Sequence, residues 1–363
     1  MRDLDSGNCF TLKEVEISKA NSRRRLLKVA AISALAFGCS SDQKNIYKDN
    51  KNTYWNNLAI PSQKDRTVII TGGNGYPMNE ISGLGYHDAL ALAYAGANVI
   101  IASRNLKQGD EAVLRIKKVV PNAKIRFETL DLADLRSIRN FCHKMTNTDQ
   151  KLDALINNAG VMGRTERETS VDGFERVFAT NTLGHFVLTT ELLPLLKRGH
   201  NPKVIWVSSL RAANAKLNFD DLQLERNYDY AAAYDQSKLA NLLLAKEFNR
   251  RSRNYDWGVS SISAHPGVAR TNLIPHGPGL DSREGRRFRA MPFLFQPAAF
   301  GALSTLHAAT ARDALADEYY GPDGILELRG MPTRVEIPNN AQNSHNARKL
   351  WEVLETMRQV ADT

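Results

Sequence analysis

Short apolar runs alternate along the chain with longer stretches of helical periodicity. The runs predict strands at 67–71, 98–102, 125–130, 152–157, 203–208 and 258–264, with a short one near 325–328. The stretches between them predict helices at 83–95, 106–119, 134–147, 172–197, 232–251 and 297–309. Such alternation is typical of an α/β fold in which helices cover both faces of a doubly wound parallel sheet. We expect about seven strands in a single domain.

The first 65 residues are polar and irregular except for one segment, SRRRLLKVAAISALAFGC at 22–39. Arg23 and Arg24, followed by a Leu-Leu-Lys run, resemble a twin-arginine export signal. The apolar run from Val29 to Gly38 is too short to cross a bilayer as a helix but suits a signal.

This leader sets the expected location of the protein. Residues 1–39 would direct export to the periplasm or cell envelope, and residues 40–65 would form a polar linker. Two alternatives stay open: lipidation at Cys39 after cleavage, and an uncleaved N-terminus on a cytoplasmic protein.

A glycine-rich turn follows the first predicted strand. The strand TVIIT runs into Gly72-Gly73-Asn74, and Ser82-Gly83-Leu84-Gly85 precedes the helical run YHDALALAYAGA. This arrangement can place phosphates at a helix N-terminus, where free N–H groups and the helix dipole favour anions. Glycine lets the backbone approach a pyrophosphate. We expect a nucleotide site, although such a turn alone is more often a plain loop.

Tyr234 and Lys238 are four residues apart in a run that reads as a helix, AAAYDQSKLANLLLAKEF, and so share one face. A nearby ammonium favours the phenolate and lowers the pKa of a tyrosine from about 10 toward the range of an acid/base catalyst. Alone, the pair is more often a solvated contact on a helix surface.

Four motifs, in order, resemble the short-chain dehydrogenase/reductase family over residues 66–335. They are the glycine turn, the Tyr–Lys pair, and between them Asn157-Asn158-Ala159-Gly160 and Ser208-Ser209, each after a strand-like run. The spacing from Ser209 to Tyr234 (234 − 209 = 25) and the segment LNFDDLQ are similar to the retinol-dehydrogenase-like branch, which includes relatives of protochlorophyllide reductase. The resemblance implies a Rossmann-type fold and an oxidoreductase that interconverts an alcohol and a ketone or aldehyde by hydride transfer.

The resemblance also implies catalytic roles. Tyr234 would be the acid/base, and Lys238 would lower its pKa and hold the nicotinamide ribose. Ser209 would donate a hydrogen bond to the substrate oxygen as charge develops there. It is preferred to Ser208 because the family's serine is usually the second of such a pair. Asn181 would hold a water in the proton relay behind the lysine.

Charge at the end of the second strand bears on the cofactor. Ser103 stands where NAD-preferring relatives keep an acidic residue, and Arg104 follows it. A guanidinium suits the dianionic adenosine 2′-phosphate, so we expect NADP(H) rather than NAD; the alternative is an ordinary loop arginine. The resemblance adds further cofactor contacts beside Tyr234 and Lys238, at Gly72, Asn74, Gly83, Gly85, Asp131, Leu132, Asn158, Ala159, Gly160, Pro266, Gly267 and Thr271.

The phosphate loop departs from the family pattern at Gly75–Ile81 (GYPMNEI), seven residues more than usual. Either this insert bulges outward and leaves Gly72, Gly83 and Gly85 to rebuild the site, or it weakens cofactor binding. The intact catalytic set favours the outward bulge.

Two segments complete the expected organisation. Residues 272–296 mix IPHGPGL, two arginines and MPFLF, and are expected to form an irregular, mobile substrate lid. Residues 336–363 are expected to form a helical tail after the 66–335 dehydrogenase domain.

Composition changes this picture little. The net charge is +9, but residues 1–65 carry 11 basic and 7 acidic side chains, and no basic run with interleaved aromatics follows them. A nucleic-acid partner is therefore not expected. The 3 cysteines and 8 histidines lack metal-ligand spacing, so no metal is expected. The expected partner is a small-molecule carbonyl or alcohol, with a homo-oligomer left open.

Two other classes of function compete with a dehydrogenase. One is a catalytically inactive protein that binds NADP(H) as a sensor, and the other is a nucleotide-sugar epimerase or dehydratase. Sensors typically lose the tyrosine or the lysine, and both are present. Epimerases usually have a different glycine pattern and a larger C-terminal lobe.

Overall fold

Strands and helices alternate from residue 67 onward, as the hydrophobic pattern predicts. The structure is a computed structural model that describes residues 60–78 and 81–359, so the expected signal at 1–39 and most of the linker lie outside it. Its strands are β1 Thr67–Thr71, β2 Asn98–Ser103, β3 Lys124–Thr129, β4 Ala154–Asn157, β5 Lys203–Val207, β6 Ser260–Ala264, β7 Ala269–Arg270, β8 Gln296–Pro297, β9 Tyr319–Pro322 and β10 Pro332–Arg334.

The α-helices lie between these strands and after them. They are α1 Leu84–Tyr94, α2 Leu106–Val119, α3 Leu135–Thr148, α4 Arg176–Phe178, α5 Gly184–Glu191, α6 Leu193–Leu196, α7 Tyr230–Asn254, α8 Leu273–His276, α9 Arg283–Ala290, α10 Ala298–Thr310 and α11 Ser344–Met357. Within the described part of the chain, none of them combines the length and hydropathy that a bilayer crossing requires.

Eight strands form the main sheet, in the order β10-β9-β6-β5-β4-β1-β2-β3. Neighbours are parallel except for the antiparallel pair of β9 and β10. The predicted doubly wound parallel sheet is confirmed, with eight strands rather than seven. The order reverses between β1 and β4, and open α/β sheets bind ligands at the carboxyl ends of the strands beside such a point.

The strand expected near 325–328 is wrong. Ile325–Glu327 is a 3₁₀ turn, and the strand next to β6 lies earlier, at β9. The reason is burial: all four residues of β9 are buried, whereas Ile325 and Leu326 are exposed. The apolar run at 325–328 therefore belongs to an exposed loop and not to a strand.

The single helix expected over 172–197 is interrupted twice. It begins where the Glu175 carboxylate accepts the N–H groups of Val177 and Phe178, and it passes through a π-helical segment at Ala179–Leu183. It breaks again before Pro194, which has no N–H to donate to the preceding turn. The lid at 272–296 is likewise more regular than expected, because it contains α8, α9 and β8.

The last helix packs into the core. Leu350, Trp351 and Leu354 of α11 are buried against α7. The Trp351 ring lies 4.9 Å from the ring of Phe186 and 6.4 Å from that of Phe248, centroid to centroid. The helix expected in the C-terminal tail is present, and it belongs to the same hydrophobic core as the sheet.

Candidate active site

Helix α7 carries Tyr234 and Lys238 on its buried face, beside the carboxyl end of β5. The Lys238 ammonium lies 5.6 Å from the centroid of the Tyr234 ring and donates a hydrogen bond to the Val207 carbonyl, at 3.0 Å. Ser209 follows β5, and its hydroxyl is hydrogen-bonded to that of Tyr234. Asp229 begins the helix by accepting the Ala232 N–H. The fold therefore brings the three side chains together as the motif spacing predicts.

The electrostatics around Tyr234 differ from the expectation. Burial raises the pKa of Tyr234 to about 12, and the Ser209 hydrogen bond and the Arg211 charge oppose that rise. The pKa of Tyr234 is therefore raised rather than lowered, because burial outweighs the opposing effects of Ser209 and Arg211. The lowering effect of Lys238 stays a prediction. Burial also lowers the pKa of Lys238, to about 8.

Asn181 lies behind Lys238 in the π-helical segment. Its amide accepts from the Val161 N–H at 2.8 Å and donates to the Val161 carbonyl at 2.9 Å and the Ser237 hydroxyl at 3.0 Å. A π-type turn widens the helix locally and is frequent at functional sites. A Cβ built on Gly160 would lie 3.3 Å from the Lys238 ammonium, so the NNAG motif adjoins the same point.

The glycine turn after β1 forms a tight backbone cradle. Gly72 has φ +74°, and a Cβ built on it would lie 3.0 Å from the Ala159 Cα atom. On Gly85, a Cβ would lie 2.5 Å from the Asn158 amide nitrogen and 3.0 Å from the Gly72 carbonyl oxygen. Gly83 stands at the N-cap of α1, whose first N–H groups face this turn. The cradle fits a dinucleotide pyrophosphate, because its backbone amides can approach an anion without side chains in the way.

Backbone hydrogen bonds hold the two ends of the insert close together where they join the cradle; we call this point the neck. The Gly83 N–H donates to the Gly75 carbonyl at 2.6 Å, and Met78 and Ile81 exchange backbone hydrogen bonds of 2.9 and 3.0 Å. Tyr76 packs under the guanidinium of Arg115, 4.3 Å from its ring centroid. The described part of the insert thus lies against α2, and the outward bulge stays a prediction.

Ser103 is the last residue of β2, and Arg104 follows it. The Ser103 hydroxyl is buried without a hydrogen-bond partner among the described residues, and Arg104 is exposed. Asn105 caps α2 by accepting the Gln108 N–H, and the Asn74 amide donates to the Gln108 side chain at 3.1 Å. Arg104 therefore lies beside the phosphate loop.

The other expected contacts lie at the same edge of the sheet. Asp131 follows β3 and accepts the Ala133 N–H, and Leu132 after it is buried. Gly267, after β6, has φ +62° and packs against the Leu328 carbonyl. Pro266 accepts from Gln296, and Thr271 accepts the Leu273 N–H. Every residue expected at the site thus lies at or after a carboxyl end of the sheet, or on α7 or the π-helical segment packed there.

Comparison with known proteins decides the family. A sequence profile described as short chain dehydrogenase matches residues 66–276. Retinol dehydrogenase 13 of Mus musculus is 37% identical over 302 residues, which cover 81% of this chain and 84% of that protein. The chain belongs to the short-chain dehydrogenase family, in its retinol-dehydrogenase-like branch. Polyprenol dehydrogenase of Homo sapiens is 41% identical over 222 residues, or 60% of this chain and 65% of that protein.

Solved structures share this dehydrogenase fold. An uncharacterised protein from Mycobacterium paratuberculosis aligns with a TM-score of 0.67 and 34% identity, covering 83% of this chain and 96% of that one. The NADP complex of Pseudomonas aeruginosa RhlG aligns with a TM-score of 0.57 at 21% identity, covering 74% and 98% of the two chains. The family supports oxidation of alcohols and reduction of carbonyls as the general activity.

His185 and Thr71 form a buried contact near this dehydrogenase site that was not predicted. His185 lies between the Asn181 carbonyl, 3.0 Å from Nδ1, and the Thr71 hydroxyl, 2.9 Å from Nε2. Burial lowers the pKa of His185 to about 3, so the ring is neutral. Because a carbonyl only accepts, Nδ1 carries the proton. Asn181 and His185 are four apart in TNTLGHF, a spacing that could have indicated their contact.

The wall around Tyr234 is apolar. Met162, Val177 and Ala233 pack with it, and the lid residues Leu273 and Ile274 lie against the same cluster. This wall surrounds the Tyr234 ring with hydrocarbon, while the Tyr234 hydroxyl is hydrogen-bonded to Ser209.

A polar cluster joins the lid to α7. Arg211 forms a two-point ion pair with Asp235 and lies 3.9 Å from the Glu284 carboxylate of α9. The Tyr230 hydroxyl donates to Glu284 at 2.8 Å. These contacts tie α9 to the first turns of the helix that carries Tyr234. Among the described residues, no cluster of His, Cys, Asp and Glu could hold a metal ion.

Proposed function

We propose that the protein is an NADP(H)-dependent oxidoreductase that interconverts an apolar alcohol and its aldehyde or ketone. The observation that carries the proposal is the convergence of Tyr234, Lys238 and Ser209 beside the glycine cradle, inside an apolar wall. Family membership supports the general activity; the cofactor, the residue roles and the substrate class are the proposal.

The chain's own groups would do the following work. Tyr234 donates a proton to the carbonyl oxygen and takes it back in the reverse direction. Ser209 donates a hydrogen bond to that oxygen, where negative charge develops. The Lys238 ammonium, 5.6 Å from the centroid of the Tyr234 ring, would favour the phenolate and so oppose the effect of burial. Asn181 holds the loop behind Lys238 through its two bonds to Val161.

The cofactor, when bound, supplies the hydride. Gly72, Gly83 and Gly85 would hold its pyrophosphate, and Arg104 with Ser103 would hold the 2′-phosphate. The remaining assigned contacts would line the adenosine and nicotinamide ends: Asn74, Asp131, Leu132, Asn158, Ala159, Gly160, Pro266, Gly267 and Thr271.

The substrate class is argued from the wall of the site. Met162, Leu273 and Ile274 offer hydrocarbon to whatever lies against Tyr234. Burial of apolar surface contributes about 25 cal/mol per Å², so a long apolar substrate gains affinity there that a small polar alcohol cannot. Relatives named for retinol and polyprenol are consistent with such a substrate.

The test is NADPH oxidation across all-trans-retinal, a polyprenal, a short aliphatic aldehyde and a polar sugar aldehyde. Turnover should be fastest with the two apolar aldehydes. Tyr234→Phe should lower kcat by about 10²–10⁴-fold while NADPH affinity changes little, because only the transferable proton is removed. Tyr255→Phe, at an exposed tyrosine, is the control.

Full activity in Tyr234→Phe would contradict its role as acid/base. NADPH binding with no turnover on any aldehyde would favour the inactive sensor instead.

A further inference from the structure

The lid carries large apolar side chains that face outward. Phe293 is 60% exposed and Met291 is 37% exposed, and on the neighbouring loop Ile325 is 58% and Leu326 69% exposed. We call these four residues the lid patch. Large apolar side chains that gather on a surface mark sites of contact with a protein or a membrane.

The two loops form one surface because they are joined at their bases. The Arg329 guanidinium donates to the Phe293 carbonyl at 3.4 Å, and the Gly330 N–H donates to the Gln296 side chain at 3.3 Å. The Gly324 N–H donates to the Arg329 carbonyl at 3.1 Å, which closes the loop that carries Ile325 and Leu326.

Leu326 is held outward in a strained conformation. Leu326 has φ +54° and Glu327 has φ +56°, a region that bulky residues rarely adopt. Such strain persists only where surrounding contacts enforce it, and it concentrates at functional sites. Here the Glu327 carboxylate lies 3.0 Å from the buried His265 ring and fixes the inner side of the loop.

Helix α9 adds positive charge beside the lid patch. Arg283, Arg286, Arg287 and Arg289 are all exposed. Arg289 pairs with the Asp281 carboxylate, and Arg286 donates to the Asp281 main-chain carbonyl. Arg283 and Arg287 have no carboxylate partner among the described residues. The one acidic side chain of α9, Glu284, turns inward to Tyr230. The outer face of α9 is therefore cationic.

We propose that the lid patch and the α9 arginines dock onto an anionic lipid bilayer, from which an apolar alcohol enters the site. Apolar side chains beside arginines are the combination that binds membrane interfaces, where hydrocarbon takes the former and lipid phosphates the latter. The polar cluster of Arg211, Asp235, Tyr230 and Glu284 connects this surface to the Tyr234 helix. The entry route rests on the proposed function, while the docking itself does not.

Charge favours a bilayer over a second copy of the chain. A symmetric contact through this face would bring the α9 arginines of both copies together, in a chain of net charge +9. An anionic membrane instead gives each arginine a counter-charge and accepts Phe293 and Leu326 without a matching pocket.

The test measures co-flotation of the full chain with phosphatidylcholine vesicles, with and without phosphatidylglycerol. Arg283→Gln with Arg287→Gln should weaken binding to the anionic vesicles by about fivefold per arginine. Phe293→Ser with Leu326→Ser should weaken binding to the same vesicles, and the loss should persist at high salt.

Matched controls lie on α2, on a different part of the surface. Leu114→Ser with Val119→Ser removes similarly exposed apolar side chains, and Lys117→Gln with Lys118→Gln removes two exposed charges. Both controls should bind as the parent does. The leader is present in every variant, so it cannot produce a difference between lid and control pairs.

A second measurement reports on the lid even if the leader also binds vesicles. The emission of Phe293→Trp, taken as a difference from the parent, should shift to the blue with anionic vesicles, whereas that of Leu114→Trp should not. An unshifted Phe293→Trp, or lid variants that float like the parent, would overturn the proposal.

Two further outcomes separate the alternatives. If Phe293→Ser with Leu326→Ser lowers the oligomeric state and leaves vesicle binding unchanged, the patch is an interface between copies and the proposal is wrong. If docking follows the prediction but no apolar aldehyde is reduced, docking stands and the proposed function fails.

Discussion

Arg104 is the residue on which the choice of cofactor depends. It is exposed beside the phosphate loop, and Ser103 before it offers no carboxylate to a ribose. Arg104→Asp should lower the ratio of kcat/KM with NADPH to that with NADH by about ten- to a hundredfold, because a charge-assisted hydrogen bond is lost. Arg136→Asp, at an exposed arginine on α3, should leave the ratio unchanged. An unchanged ratio in Arg104→Asp would remove the basis for preferring NADP(H).

Lys238 should leave a signature in the pH dependence of stability. Burial lowers its pKa from 10.5 to about 8, so between these pH values the unfolded chain binds more protons than the folded one. The free energy of unfolding of the parent should therefore rise, relative to that of Lys238→Met, as the pH increases from about 8. Chemical denaturation of the two proteins across this range measures the difference. The free energy of unfolding of Lys216→Met, at an exposed lysine, should change with pH as that of the parent does. If the free energy of unfolding of Lys238→Met also changes with pH as that of the parent does, the burial argument is wrong.

At this scale the sequence located the proposed catalytic groups but not their electrostatics. The spacing of Tyr234 and Lys238 placed them on one face because a helix has a fixed period. The pKa of Tyr234 depends on burial by the lid and on Arg211, whose position follows from the fold rather than from spacing. The contact of His185 with Thr71 joins residues 114 positions apart, which no local pattern reveals.

Among the elements, those with strong periodicity were predicted best. The bounds of β1 and α2 agree with the pattern residue for residue. The misplaced strand at 325–328 arose because Ile325 and Leu326 are apolar yet exposed. Periodicity and composition do not distinguish an apolar loop that is exposed on the surface from an edge strand.

The insert in the phosphate loop gives a prediction at the level of an element. Excision of Gly75–Ile81 should leave NADPH affinity within about twofold of the parent, because the neck is already closed and a shorter loop costs less entropy to order. This deletion also keeps Ser82 and its 2.8 Å hydrogen bond with His87. Excision of 76–82, which has equal length but removes Ser82, should lower the melting temperature more. Calorimetric titration with NADPH and thermal unfolding measure both, and a folded Gly75–Ile81 deletion with greatly weakened binding would mean that the insert contacts the cofactor.

At the scale of the whole molecule, we propose export by the twin-arginine route, which carries folded, cofactor-loaded proteins. The support is the pattern of Arg23 and Arg24 before a short apolar run. Replacing both arginines by lysine should retain the protein in the cytoplasm, because the pathway reads the pair specifically, whereas Lys13→Arg should not. Fractionation that finds the parent itself cytoplasmic and full length would contradict the proposal.

We expected a domain at 66–335 followed by a separate tail at 336–363. The structure changes this expectation most, because the helix of the tail packs into the core of the domain. Ser344–Met357, within the segment expected to form a helical tail, is a helix. Its partners Phe186 and Phe248 lie more than a hundred residues earlier, so the sequence did not reveal that the helix fills the core.

That position of α11 has a consequence for biosynthesis. The segment that carries Trp351 is translated after every strand of the sheet and after every other described helix. The aromatic contacts of Trp351 cannot form before this segment has left the ribosome, so the earlier elements wait with part of their apolar surface uncovered. The core of a nascent chain is thus incomplete until α11 emerges.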